Sequence, residues 1–176
     1  MTSMPRTSPA VVLALLAAGP ALAQTSTSVA SHTDWSVFVE EDPKECYIAA
    51  QPKSSVARRD GSPVEVQRGD IRLFVSFRPG DNVSNEVSFT GGYPFREGST
   101  VTLAIGENEF SLNPGQGDAN EWAWTAPADD SRVVAALRGG ANAKLTGTSS
   151  RGTITEDTFS LMGFTAAVED AEARCR

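Results

Sequence analysis

Histidine is nearly missing from this 176-residue chain: His32 is the single one, and there are only two cysteines, Cys46 and Cys175. A Ser-His-Asp or Cys-His nucleophilic arrangement would have to recruit that one imidazole. Zinc and copper sites draw on several His and Cys ligands, which the chain does not supply. The sequence also lacks a GxxxxGK phosphate loop, a GxSxG elbow and an EF-hand loop. Positive charge is in deficit, with 15 Lys and Arg against 22 Asp and Glu. Nucleic-acid binding needs clustered positive charge. The densest basic stretch, residues 53–72, is interrupted by Asp60, Glu65 and Asp70 and reads as an ordinary solvated surface. These absences predict no catalytic residue, no metal, no cofactor and no nucleic-acid partner. The reading is a non-enzymatic protein; the alternative is a hydrolase built on two converging carboxylates, which need no histidine.

Long apolar runs are absent too. The longest such stretch, around residues 11–18 (VVLALLAA), falls well short of the ~20 residues that span a bilayer. It has another use. Arg6 is the only charge before it, Gly19-Pro20 breaks the helix after it, and Ala21-Leu22-Ala23 supplies a small-x-small cleavage box. That order is what a signal peptidase reads. Residues 1–23 are therefore predicted to be a secretory signal cleaved after Ala23, leaving a chain without a transmembrane segment in the periplasm or outside the cell. Cleavage removes one arginine and no acid, so 14 basic residues face 22 acidic ones, a formal charge of −8. About 150 residues remain, the usual size of one domain with one core.

An even count of two cysteines in an oxidising compartment predicts one disulfide, Cys46 to Cys175. Two separate buried thiols are the alternative.

What the chain does have is alternation. Residues 24–33 (QTSTSVASHT) are Ser/Thr-rich without periodicity and are expected to form a flexible leader. From Asp34 to Arg176, short alternating runs follow one another, separated by Gly, Pro, Asn and Asp. Ile71, Leu73, Val75 and Phe77 share one face of a strand, with turn chemistry after it at Pro79-Gly80-Asp81-Asn82. Val101, Leu103 and Ile105 form a second such set, and Trp35, Val37 and Val39 a third. Trp122 and Trp124 also alternate and are read as core rather than as a recognition platform. Further strands are expected at 45–49, 85–90, 108–112, 144–148 and 153–159. Short strands at this spacing predict a mainly β fold, an antiparallel β-sandwich of jelly-roll-like type spanning residues 34–176. Two short peripheral helices complete it. Residues 129–138 begin with acids and end with Arg138 before Gly139-Gly140, and residues 164–174 place Phe164, Ala167, Val168 and Ala171 at helical spacing.

Four local motifs bear on binding. Arg68-Gly69-Asp70 is the tripeptide integrins read on a displayed loop, but here it leads straight into a strand, and its glycine is better explained by the turn. Asn82-Val83-Ser84 matches the N-glycosylation pattern, and beside a bacterial-looking signal it is read as accidental. The turn Gly92-Tyr93-Pro94-Phe95 and the link Ser149-Ser150-Arg151-Gly152-Thr153 are candidate ligand-contact loops, with Tyr93, Phe95 and Arg151 the residues to make contact. The competing reading is plain turn geometry with an aromatic plug over the core.

Taken in order, these motifs resemble the invasion-associated locus B family of bacterial exported proteins. The resemblance runs from Trp35 through Cys46, Arg68-Gly69-Asp70, Gly92-Tyr93-Pro94-Phe95 and Trp122. It continues through Ser149-Ser150-Arg151-Gly152-Thr153, Phe159-Ser160-Leu161, Gly163-Phe164 and Cys175. It implies a small, mostly β envelope or secreted domain and, in pathogenic members, a contribution to host-cell entry. It brings no catalytic residue. The expected partner is an unknown envelope or host protein, met by a binding or accessory module. A structural or stress-related envelope factor is the other reading.

Overall fold

The structure is a computed structural model that describes residues 27–176. The predicted signal, residues 1–23, and the start of the expected leader lie outside the described residues. Among the described residues there are twelve strands: β1 (Ser28–His32), β2 (Trp35–Glu41), β3 (Lys44–Ala50), β4 (Ser54–Arg59), β5 (Ser62–Pro63), β6 (Arg72–Arg78), β7 (Val83–Thr90), β8 (Val101–Ile105), β9 (Asn108–Pro114), β10 (Trp122–Thr125), β11 (Asn142–Thr148) and β12 (Ile154–Ser160). Two helices, α1 (Asp130–Gly139) and α2 (Phe164–Arg174), fall where their periodicity predicts.

The strands form one continuous sheet in the order β1-β2-β3-β6-β7-β10-β9-β8-β11-β12-β4-β5, and every pairing is antiparallel. Twisted sheets of this size curl or split into layers rather than stay open. Here the sheet wraps until its two halves face each other: Phe89 of β7 meets Phe159 of β12 edge to face, with ring centroids 6.2 Å apart. The two layers of the expected sandwich are thus halves of one sheet. At one free edge β5 is only two residues long and ends in Pro63, which has no N–H to offer a further strand.

Inward-facing residues alternate along each strand as the period of two requires. Val37, Ile48, Leu73, Val75, Val87, Val101, Leu103, Leu112 and Leu145 are fully buried in one core. Helix α2 lies over β2 and β3, burying Phe164, Ala167, Val168 and Ala171. The Trp35 ring meets Phe164 edge-on at 5.0 Å, and its indole N–H donates to the Ser160 carbonyl at 3.0 Å. The cystine Cys46–Cys175 fastens the end of α2 to β3, with Cα atoms 5.7 Å apart. Helix α1 packs on β7, and its first residue, Asp130, is buried. The Asp130 carboxylate accepts hydrogen bonds from the Thr125 hydroxyl and, at 3.4 Å, from the Val87 amide. Burial raises this carboxyl above the ordinary aspartate value, and those two donors only partly offset it.

Two expectations change. Part of the leader expected over 24–33 forms a strand: Ser28–His32 pairs with β2, and His32 Nε2 lies 2.9 Å from Asp170 Oδ2 on α2. Backbone pairing asks for no apolar pattern, so a Ser-rich segment can extend a sheet edge. Trp122 and Trp124 do alternate in β10, but Ala123 and Thr125 take the inward positions while both indoles lie half-exposed on the outer face.

Candidate functional site

The two loops singled out in the sequence lie side by side. Ser150 N–H donates to the Pro94 carbonyl at 2.8 Å, Arg96 N–H to the Thr148 carbonyl at 2.9 Å, and Phe95 forms an isolated bridge with Ser149. A third segment joins them. Gly69 N–H donates to Gly92 O at 2.9 Å, so the turn before β6 is sewn to the tyrosine loop. Gly92 has φ +67°, and a Cβ there would come 2.7 Å from the Gly69 backbone, which leaves glycine as the residue that fits. Together with Arg59 and Thr155, the three segments enclose a cleft of about 480 Å³.

The floor of this cleft is a buried ion pair. Arg68 donates to both oxygens of Asp157, at 2.7 and 2.6 Å, and its Nε donates to Gly91 O at 2.8 Å. Ser55 Oγ donates a further bond to Asp157 at 2.6 Å. Asp157 is fully buried and the Arg68 side chain nearly so. The forked guanidinium matches a carboxylate in this geometry, and the remaining polar atoms are satisfied, which is what a buried pair requires. Arg68 in turn sits 5.0 Å from the Tyr93 ring centroid.

The structure divides the predicted contact residues. Phe95 is buried in the core and packs edge-on against Tyr93 at 5.1 Å, the position of an aromatic plug behind the tyrosine. Tyr93 is half-buried in the wall, its hydroxyl 2.6 Å from Thr155 Oγ1, and burial raises its phenol above the usual value, so it stays neutral. Arg151 stands exposed on the rim. The integrin-type tripeptide is not displayed as a unit: the Arg68 side chain is locked to Asp157, while Gly69 and Asp70 lie at the surface, Asp70 paired with Arg72 at 2.6 Å.

Sequence reasoning misses the cleft's other residues. Arg59, at the end of β4, donates to Thr153 Oγ1 at 3.1 and 2.7 Å. Among the described residues, every Lys and Arg is ion-paired with a carboxylate except Arg59, Arg96 and Arg151. Arg59 and Arg151 line the cleft, and an Arg96 nitrogen lies against Gly152 of the same turn. In an acidic chain, the unpaired cations gather at one place. Glu65 and Glu121 also line it, two acids beside the two unpaired cations. Guanidinium groups keep their charge at any physiological pH and present planar pairs of donors. The arrangement can hold a carboxylate or phosphate; no histidine or cysteine lines it. The single imidazole is engaged by Asp170, and both thiols are spent in the cystine. No helix among the described residues is long and apolar enough to cross a membrane.

Comparison with known proteins places this geometry in context. The family model described as "Invasion associated locus B (IalB) protein" matches residues 35–172. The crystal structure of invasion associated protein b from Bartonella henselae is similar in fold, with a TM-score of 0.56 over 82% of this chain and 95% of that one, at 20% sequence identity. No curated protein matches the chain in sequence.

Proposed function

Since this chain belongs to the invasion associated locus B family, we propose that it is an exported, non-enzymatic binding module. In this reading, the cleft at Tyr93 and Arg151 captures an anionic group on an envelope or host-cell component. The observation that carries the reading is that, of the three described cations without an acidic partner, Arg59 and Arg151 line one cleft and Arg96 reaches the Gly152 turn beside it. An unpaired guanidinium costs nothing to leave in water and gains a charge-assisted, two-point hydrogen bond when a carboxylate or phosphate arrives. The rigid floor made by Arg68 and Asp157 supports the same reading, because a site already in its bound shape loses less conformational freedom on binding. A contribution to host-cell entry comes to this chain through the family alone.

The test is photo-crosslinking from Ser150 in the envelope of the producing bacterium, comparing the native chain with Arg151→Glu. A captured component that is lost on charge reversal, with an unchanged circular-dichroism spectrum, is expected. Equal capture by both, or none beyond that from Glu107 at the far end of β8 and β11, overturns the reading. N-terminal sequencing of the same material should begin at Gln24; a chain beginning at Met1 refutes export by signal cleavage.

A further inference from the structure

The outer face of the sheet carries a second cluster, made by aromatic residues at the solvent phase of their strands. Phe38 stacks on Tyr47 at 4.8 Å, Tyr47 lies 6.1 Å from Phe74, Phe74 lies 5.3 Å from Trp122, and Trp122 lies 6.2 Å from Trp124. All five are half-exposed. The run crosses β2, β3, β6, β7 and β10, about 19 Å at the ~4.8 Å spacing of paired strands. On β7 the register puts Ser88 between Phe74 and Trp124, and on β6 it puts Ser76 beside Tyr47. These small residues leave a groove of about 580 Å³ among the rings. Such a continuous aromatic patch marks an interaction surface, unlike scattered exposed apolar residues.

Charge selects the occupant. Glu45, Glu86 and Asp118 line the groove against one cation, Arg78, which donates to Glu86 at 2.9 Å and to Glu45 at 3.2 Å. Asp118 has no ion pair among the described residues. Aromatic faces attract cations through their quadrupole, and the surplus carboxylates add to that attraction. A neutral sugar would gain from the rings but not from the net negative rim. We propose that this face docks an extended basic segment of a partner protein. Its apolar side chains lie among Tyr47, Phe74, Trp122 and Trp124, and its Arg or Lys groups lie at Asp118 and Glu86. About six extended residues cover the span at ~3.3 Å each. The site is separate from the arginine-lined cleft and prefers ligands of opposite charge.

The test uses the oxidised, exported chain, titrated with a peptide alternating arginine and leucine, its glutamate–leucine counterpart, and the neutral sugar cellohexaose. Binding is read by calorimetry and by the indole N–H signals of the three tryptophans. The arginine peptide is expected to shift Trp122 and Trp124 but not the buried Trp35. Trp124→Ala should weaken it about tenfold, and Asp118→Asn should weaken it less while flattening its salt dependence. No shift at millimolar arginine peptide, equal binding of the acidic peptide, preferential binding of cellohexaose, or unchanged affinity in both variants overturns the proposal.

Discussion

Arg68 is the best instance of a residue whose meaning the fold reverses. Its tripeptide is familiar as a surface signal, yet its guanidinium is spent on a buried carboxylate. Removing one member of a buried, hydrogen-bonded pair strands the other without a counter-charge and costs about 3–5 kcal/mol. Arg68→Met is therefore expected to lower the urea midpoint strongly, while Asp70→Ala, at the surface beside Arg72, stays within about 0.5 kcal/mol. Equal effects from the two would show that the pair contributes nothing to the fold. Asp130 poses the opposite case, a carboxyl held above its ordinary value by burial. The folded state then binds its proton more tightly than the unfolded chain does. Stability from this group is greatest below the unfolded value and falls as pH rises through the raised one. Asp130→Asn keeps an oxygen for Thr125 and Val87 and removes the charge. It should melt above the native protein at neutral pH, with the gap closing as pH drops below the unfolded aspartate value. Melting curves with no neutral-pH gap would refute this.

Among the elements, α2 depends most on a single link. Its inner face is small, three of its four buried residues being alanine or valine, and the cystine holds its far end. The bond closes a loop of 129 residues, for which chain entropy gives at most about 5 kcal/mol. Reduction is expected to speed amide exchange in α2 before β6 and β7, which are paired on both sides within the sheet; a uniform rise across the domain would disprove that order. The elements also differ in how plainly the sequence announces them. β6 and β8 declare themselves because both carry three apolar residues in strict alternation. α2 does so because Phe164, Ala167, Val168 and Ala171 repeat at helical spacing. β4 (SSVARR) buries only Ala57, and β1 buries none of its side chains, so neither has an apolar rhythm to detect. Their pairing rests on backbone hydrogen bonds, which leave no mark on side-chain composition.

At the scale of the whole molecule, the site is less legible than the fold because it is assembled from distant segments. Tyr93 and Arg151 are visible as loop residues, but their adjacency arises only when β11 and β12 bring the second loop against the first. Arg59 carries no local signal. Asp157 carries one that reasoning from the sequence passes over: it falls between Thr155 and Phe159 on the inward phase of β12, where a charge demands a partner. The outer aromatic face has a similar signature, since Phe38, Tyr47, Phe74, Trp122 and Trp124 occupy the phase where polar residues are ordinary. Residues out of phase with their strand mark both surfaces, and periodicity alone discards them.

The cystine has one more consequence. A polypeptide made from its N-terminus forward delivers Cys46 early and Cys175 only after all twelve strands. The bond therefore registers completion: a product broken off between Cys46 and Cys175 keeps the Cys46 thiol without its partner, open to capture by glutathione or by an oxidoreductase, whereas a finished one presents no free thiol.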